Sequence, residues 1–195
     1  MITLSIPCHK GNTKDFFSFP VDSGSVFFAG SRHTEISSQL CHDLVEYFGR
    51  LGFGFSVGCA RGVDRSFRDA FITSRYIRRA FVACAFKDRV GKVGDITSSL
   101  VVSSTSHAAA ALAGRTIWLA RHCSLSVIFP DDPTRHTWGK GSSLAIRTCI
   151  KYGKPVFIVT DILPVKSDDY RLFHTSLFGV VKGYWLVPAN KEAVA

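Results

Sequence analysis

Two segments that combine glycine with arginine are the residues of this chain best suited to bind an anion. One reads Gly-Ser-Arg at 30–32 and the other reads Gly-Cys-Ala-Arg-Gly-Val-Asp at 58–64, and each follows a short apolar run. A strand that turns through glycine into a helix leaves backbone N–H groups free, and the helix dipole adds partial positive charge there. The two turns therefore predict one shared site for a phosphate-bearing ligand.

A third glycine segment, Thr-Trp-Gly-Lys-Gly-Ser-Ser at 137–143, opens a further helix. Its two hydroxyl groups, Ser142 and Ser143, suit either a helix cap or hydrogen bonds to phosphate. Arg115 lies between these segments in sequence, where it either reaches the same site or lies on a solvated helix face. We expect all three segments to contribute to one site.

The same residues also have interpretations that need no ligand. The glycines fit tight turns, Arg61 fits an ion pair with Asp64, and Trp138 fits internal packing as well as stacking on a base. Arginine after each turn favours the ligand, because a guanidinium group binds phosphate oxygens in pairs. The predicted ligand-binding residues are Gly30, Ser31, Arg32, Gly58, Ala60, Arg61, Gly62, Asp64, Arg115, Gly139, Gly141, Ser142 and Ser143.

Asp131 and Asp132 are the candidate catalytic residues, because they follow an apolar run and can act as acid, base or ribose ligand. Carboxylates in exposed turns beside proline commonly do none of these. The seven histidines and six cysteines show no spacing typical of a metal site, and Cys59 has no adjacent base in the sequence. The sequence therefore predicts neither a metal nor a cofactor.

The composition of this 195-residue chain is basic, with 24 Lys and Arg against 15 Asp and Glu. The formal charge of +9 attracts polyanions such as nucleic acid, although a solvated basic surface has the same composition. Scattered cysteines without a C-x-x-C pair indicate the reducing cytosol. We expect a cytosolic protein without a membrane partner, because no export leader is evident and the uncharged stretch 96–114 is rich in Ser and Thr.

Apolar runs alternate with stretches of helical periodicity from residue 25 onward. We expect an edge strand at 1–6, a loop at 9–14 and a long flexible loop at 87–106. The alternation is typical of an α/β fold in which helices cover both faces of a parallel sheet. The predicted strands are 25–29, 53–57, 80–86, 125–129, 155–159 and 184–187, and the predicted helices are 36–51, 63–71, 108–123 and 139–152.

In sheets of this kind, ligands bind beyond the carboxyl ends of the strands, where the strand order reverses. All three glycine segments follow a predicted strand, directly or after a short loop. We therefore expect the three segments to gather at one edge of the sheet.

The glycine segments resemble those of SLOG domains, the Rossmann-like fold named for Smf/DprA and LOG proteins. The resemblance is carried by Phe-Ala-Gly-Ser-Arg at 28–32 and by the Gly-x-Ala-Arg-Gly-x-Asp pattern at 58–64. Arg115 and the residues at 139–156 are similar to further motifs of the family. The resemblance implies a Rossmann-like parallel sheet of about five core strands at 25–160. Residues 1–24 would form an N-terminal extension, and 161–195 a C-terminal extension that packs on the same domain.

The resemblance also implies a class of ligand. SLOG domains include nucleotide phosphoribohydrolases, single-strand DNA binders of the DprA type, and sensors of nucleotide-derived signals in prokaryotic and phage-defence systems. Phosphoribohydrolases similar to plant LOG carry Pro-Gly-Gly-x-Gly-Thr followed closely by glutamate, whereas the residues at 138–145 include no carboxylate. This chain therefore lacks an acid that the family's glycosidic cleavage uses.

Three functions remain open at this point. The chain binds a nucleotide or nucleotide-derived ligand through its Gly/Arg loops, as a sensor, a sequestering protein or a processing enzyme. Alternatively, it cleaves the N-glycosidic bond of a nucleotide, with Asp131 or Asp132 in place of the missing acid. In the third interpretation it binds single-stranded DNA like DprA, supported by the net charge and by Arg75, Arg78 and Arg79. We expect a homo-oligomer, because such sheets often pair through their helices.

Overall fold

An eight-stranded sheet and four helices organise the part of the chain that the computed structural model describes. The described residues are 2–10, 13–21, 24–102, 107–132 and 138–189. Met1, Pro133 and Thr137 belong to segments interpreted above and lie outside the described residues, as do 103–106 and 190–195.

The chain alternates strands and helices between residues 25 and 158. The strands are β1 (Ile2–Lys10), β2 (Thr13–Val21), β3 (Ser25–Gly30), β4 (Gly54–Gly58), β5 (Ala80–Cys84), β6 (Thr97–Leu100), β7 (Leu125–Phe129), β8 (Val156–Ile158), β9 (Tyr170–Leu177) and β10 (Val181–Pro188). The helices are α1 (Ser38–Arg50), α2 (Val63–Thr73), α3 (Ala108–His122) and α4 (Gly139–Lys151), with short 3-10 turns at Ile77–Arg79 and Lys87–Arg89.

The large sheet has the strand order β6-β5-β4-β3-β7-β8-β10-β9, and β1 pairs with β2 in a separate antiparallel hairpin. Its first six strands are parallel, whereas β10 runs antiparallel to both β8 and β9. The predicted α/β fold with a Rossmann-like parallel core is confirmed. The sheet has more strands than the five expected, because β6 extends one edge and β9 and β10 extend the other.

Two loop predictions are wrong. Residues Thr97–Leu100 of the expected flexible loop pair in parallel with β5, and their polar side chains suit a strand at the sheet edge. The expected loop at 9–14 is largely strand, since His9 pairs with Lys14 and Lys10 with Thr13 in the hairpin. In both places the backbone hydrogen bonds of a partner strand outweigh a weak local pattern.

Alternating side chains of β3 supply the two apolar layers on either side of the sheet. Phe28 faces α1 and α2, where its ring stacks on Phe67 with 4.0 Å between centroids. Phe27 belongs to the opposite layer, which α3 and α4 cover with residues such as Leu119 and Ile146. The predicted helices on both faces are therefore present, and β3 is buried on both sides.

The strand order reverses at β3, whose neighbours are β4 on one side and β7 on the other. The chain leaves β3 toward β4 and β5 and later returns to β7 on the far side, so the loops after β3 and β7 diverge. Such a switch point leaves a crevice outside the carboxyl ends of the strands. No helix in the described residues is both long enough and apolar enough to cross a membrane.

Candidate functional site

A cavity of about 520 Å³ opens at this switch point, between the carboxyl ends of β3 and β7 and the helices α3 and α4. Most of the predicted ligand-binding residues line it, which agrees with the expected gathering of the glycine segments. The lining residues that the sequence predicted are Gly30, Ser31, Arg32, Ala60, Asp64, Arg115, Gly139, Gly141 and Ser142, together with Asp131. Gly58, Arg61, Gly62, Ser143 and Asp132 are not among the residues that line the cavity.

The first glycine turn is held tightly between β7 and α2. The Ser31 N–H donates to the Phe129 carbonyl at 3.1 Å, and the Ser31 carbonyl accepts from the Val63 N–H at 3.1 Å. A β-carbon at Gly30 would overlap the Phe129 carbonyl oxygen, so this close crossing requires glycine. The turn is therefore a rigid wall of the cavity.

A serine–carboxylate contact lies at the mouth of the cavity. The Ser31 hydroxyl donates to Asp131 Oδ1 and accepts from the His33 N–H at 2.9 Å. Because Ser31 directly follows β3 and Asp131 follows β7, the contact joins the two loops on either side of the switch point. Of the two candidate catalytic carboxylates, Asp131 is thus the one that the fold brings to the cavity.

The second glycine turn is built around a buried ion pair. Arg115 Nη1 donates to Asp64 Oδ2 at 3.1 Å, and the same oxygen accepts from the Ala60 N–H at 3.0 Å. Asp64 and Arg115 are only 5% and 7% exposed, respectively. A β-carbon at Gly58 would overlap both charged groups, so glycine there makes room for the pair. Asp64 pairs with Arg115 from α3, and Arg61 on the same turn is exposed.

Two more arginines bind the carbonyl groups of the same turn. Arg68 Nη1 donates to the carbonyls of Gly58 and Ala60 at 2.8 and 2.9 Å, and Arg89 Nη1 donates to the Cys59 carbonyl at 2.9 Å. Burial lowers the pKa of Arg68, although Asp64 opposes that shift. The contacts of this turn thus include three guanidinium groups and one carboxylate, which leaves an excess of positive charge around the turn.

The N-terminus of α4 borders the cavity, and its N-cap residue supplies no side-chain cap. Its N-cap residue is Trp138, which makes no capping hydrogen bond, and the first turn holds no acidic residue. Because the first N–H groups of a helix have no intrahelical partner, this end suits an anion. Ser142 and Ser143 lie inside the helix, so the alternative that they cap it is wrong. Gly139 has φ +69°, a conformation that favours glycine.

Two buried donors at the cavity lack a protein partner. Arg115 Nε and Trp138 Nε1 make no hydrogen bond within the described residues, and both residues line the cavity. Buried donors of this kind are normally satisfied, so a bound molecule is the natural partner. Leu112, Ala113 and Leu144 add an apolar wall beside them.

The sequence patterns did not reveal Arg68 and Arg89 as part of this site. Arg68 lies one helical turn after Asp64, which is the only local signal that both face the same loop. Arg89 comes from the 3-10 turn after β5, and no local pattern relates it to Cys59. Within the described ranges, no three His, Cys, Asp or Glu side chains meet as a metal site.

Comparison with known proteins relates this chain to a solved structure but not to a sequence family. No protein-family model matches the chain, and no curated protein matches it in sequence. Its fold is similar to that of DNA processing protein A from Helicobacter pylori, a structure described for its unique single-stranded DNA binding mode. The similarity has a TM-score of 0.54 at 15% identity and covers 83% of this chain and 81% of that chain.

Proposed function

We propose that the chain is a SLOG-like domain whose cavity binds a nucleotide or nucleotide-derived ligand. The proposal rests on two features of one cavity. The N-cap residue of α4 supplies no side-chain cap, and the buried Nε of Arg115 has no hydrogen-bond partner among the described residues. A helix N-terminus alone is a weak signal. A guanidinium group that is nine-tenths buried and lacks a partner on one nitrogen adds an independent reason to expect an anion.

The cavity offers a different environment for each part of a nucleotide. The phosphate lies in the first turn of α4, where Arg32 and Lys140 add positive charge. Asp131 is placed to accept hydrogen bonds from ribose hydroxyl groups. Leu112 and Ala113 form the apolar surface against which the base packs, and Trp138 supplies a ring for stacking. The volume of about 520 Å³ is typical of small-ligand sites.

A thermal-shift screen followed by calorimetry tests this proposal. The full chain is screened against nucleotides, cyclic nucleotides and ADP-ribose derivatives. A ligand at 100 times its Kd stabilises the folded chain by about 2.7 kcal/mol. No shift with any compound of the panel would contradict the proposal.

Paired arginine variants then locate the phosphate. We expect Arg32→Ala to weaken the binding of the ligand found in the screen by ~1.5–3 kcal/mol, the range for a charge-assisted hydrogen bond. Arg61→Ala is the matched control, because Arg61 is also exposed and follows a glycine turn but does not line the cavity. Equal losses of affinity in both variants would contradict this position and indicate that the phosphate also contacts the second glycine turn.

Cleavage of a nucleotide N-glycosidic bond is the second candidate function, and the position of Asp131 favours it. This carboxylate lies at the cavity mouth beside Ser31, where it can act as general acid or base. Release of free base from nucleotides would identify the activity. We expect Asp131→Asn to abolish that release, whereas Asp132→Asn should retain it. Absence of base release across a broad nucleotide panel would contradict the cleavage activity and leave ligand binding as the proposed function.

Single-stranded DNA binding is the third candidate. The DprA structure with a similar fold was described for this activity, and the charge of +9 would attract the DNA backbone. Its signature would be an affinity that falls steeply with salt.

A further inference from the structure

Cys59 carries an unusual set of donors on its sulfur atom. The Ala85 N–H donates to it at 3.4 Å, Arg115 Nη1 at 3.7 Å and Arg89 Nη1 at 3.8 Å. Two of these donors, Arg115 and Arg89, are positively charged. The sulfur of Cys59 has no role in the ligand binding proposed above. The arrangement stabilises negative charge on sulfur and so favours ionisation of this thiol.

A second thiol lies next to Cys59. Gly58 pairs with Ala83 in the parallel register of β4 and β5, so Cys59 and Cys84 are opposite each other where the strands end. Cys59 lies close enough to the Cys84 thiol to raise its pKa. Neighbouring strands lie about 4.8 Å apart, which falls within the Cα separations that disulfides span, roughly 4.4–6.8 Å. The register of the two strands therefore brings Cys59, the residue after β4, next to Cys84 at the end of β5.

The surroundings give the two thiols opposite tendencies to ionise. Burial raises the pKa of Cys59, but the Ala85 N–H and the guanidinium groups of Arg115 and Arg89 outweigh burial and leave the pKa below its usual 9.0. Burial raises the pKa of Cys84 to about 11. A thiolate next to a protonated thiol is the arrangement in which the first sulfur reacts and the second resolves.

We propose that Cys59 and Cys84 are a peroxide-reactive thiol pair. The Cys59 thiolate attacks one oxygen of hydrogen peroxide, the O–O bond breaks, and the departing hydroxide takes up a proton to become water. Sulfur is oxidised to sulfenic acid while the peroxide is reduced. The Cys84 sulfur then attacks the Cys59 sulfur, the S–O bond breaks, and a second water leaves with the thiol proton. The product is a disulfide between β4 and β5.

A second thiol pair in the molecule is an internal control. Cys123 and Cys149 both lie close to the Ala120 carbonyl, at 3.4 and 4.0 Å. The two lie close enough to affect each other's ionisation, which raises the pKa of Cys123 and lowers that of Cys149. This pair lies in the apolar layer between α3, α4 and the sheet, where Cys149 is 0% exposed, whereas Cys59 retains 6%. Both thiols of the control pair are therefore less exposed to peroxide than Cys59 is.

Peptide mapping of the native protein tests the proposal. The reduced full-length chain is treated with hydrogen peroxide, blocked with iodoacetamide and digested with trypsin, which places each of the six cysteines in a separate peptide. We expect the peptides 51–61 and 80–87 to become linked, with the loss of two hydrogen atoms. Cys59 should be consumed on the order of tenfold faster than Cys41 or Cys149.

Single variants separate the two steps. Cys84→Ser should stop at a Cys59 sulfenic acid that dimedone traps, and Cys149→Ser, the matched control, should still link 51–61 to 80–87. Circular dichroism verifies that both variants fold. The proposal is overturned if Cys59 and Cys84 remain free thiols at peroxide doses that oxidise other cysteines, or if Cys84→Ser yields no dimedone adduct at Cys59. The outcome does not depend on which ligand the cavity binds.

Discussion

Asp64 sits between the backbone of the second glycine turn and the side chain of Arg115. Its Oδ2 accepts from the Ala60 N–H as well as from Arg115, so one carboxylate holds the turn and neutralises a buried guanidinium group. Two other arginines, Arg68 and Arg89, bind carbonyl groups of the same turn. Removing the carboxylate would therefore leave the guanidinium groups around this turn without a counter-charge.

We expect Asp64→Ala to lower the free energy of unfolding by ~3–5 kcal/mol, because it leaves the buried Arg115 guanidinium group without its counter-charge. Asp69→Ala is the matched control on the same helix, since Asp69 forms an exposed pair with Arg65 at 3.7 Å. Exposed pairs of this kind contribute at most about 1 kcal/mol. Urea denaturation of both variants measures the difference, and similar losses would contradict the structural role given to Asp64.

The pH dependence of alkylation provides a second prediction for single residues. Arg89, Arg115 and the Ala85 N–H hold the pKa of Cys59 below 9.0, whereas burial raises the pKa of Cys84 to about 11. Because the thiolate is the nucleophile, the rate of modification rises with pH through each pKa. The midpoint for Cys59 should therefore lie below 9.0 and that for Cys84 well above it. Site-resolved iodoacetamide rates measure both, and a Cys59 midpoint above 9.0 contradicts the prediction.

Single residues were predicted from the sequence where local pattern and position agree. Arg32 and Asp131 directly follow buried strands, so their place beside the cavity could be inferred from the chain alone. The contact between Cys59 and Cys84 could not, because it depends on the register of two strands more than twenty residues apart in sequence. Arg89 was missed for the same reason.

Among the elements, β4 and α4 show two different uses of glycine. Gly58 ends β4 under the Asp64–Arg115 pair, where a side chain has no space. Gly141 lies in the first turn of α4, and a β-carbon there would meet nothing within 4 Å. The two positions therefore predict opposite effects of the same substitution.

We expect Gly58→Ala to destabilise the chain, by at least about 2 kcal/mol if the buried pair separates. Gly141→Ala should leave stability unchanged or raise it by roughly 0.4–1 kcal/mol, since alanine restricts the unfolded chain. Thermal and urea unfolding compare the two variants. A neutral Gly58→Ala would mean that the ion pair moves aside without cost, contrary to the tight packing described here.

Two strands that sequence analysis missed lie at the edges of the large sheet. Residues Thr97–Leu100 consist of three polar residues and one leucine, and Tyr170–Leu177 mixes polar with apolar side chains. An edge strand pairs with only one neighbouring strand and often buries few of its side chains. Its hydrophobic pattern therefore identifies it poorly. The central strands β3 and β7 are buried on both faces, which is why their continuous apolar runs were recognised.

At the scale of the whole molecule, exposed arginines lie at both ends of the parallel strands. The cavity with Arg32 is at the carboxyl ends of the strands, whereas Arg78 and Arg79 directly precede β5 at its opposite end. Arg75 and Arg79 stack over the ring of Tyr76 near the same end. A basic surface far from the cavity can attract a DNA backbone without occupying the nucleotide site.

Binding of single-stranded DNA should therefore separate from binding of a mononucleotide. We expect oligonucleotide affinity to fall with salt by a log–log slope of about −0.7 per phosphate contact, and Arg78→Ala to reduce that slope by about one contact. Arg32→Ala, the control at the other end of the sheet, should weaken the binding of the mononucleotide and leave the affinity for the oligonucleotide unchanged. Fluorescence anisotropy at several salt concentrations measures the DNA, and calorimetry measures the nucleotide. Displacement of the oligonucleotide by the mononucleotide would instead place both in the cavity, because two ligands at opposite sheet ends cannot compete for the same contacts.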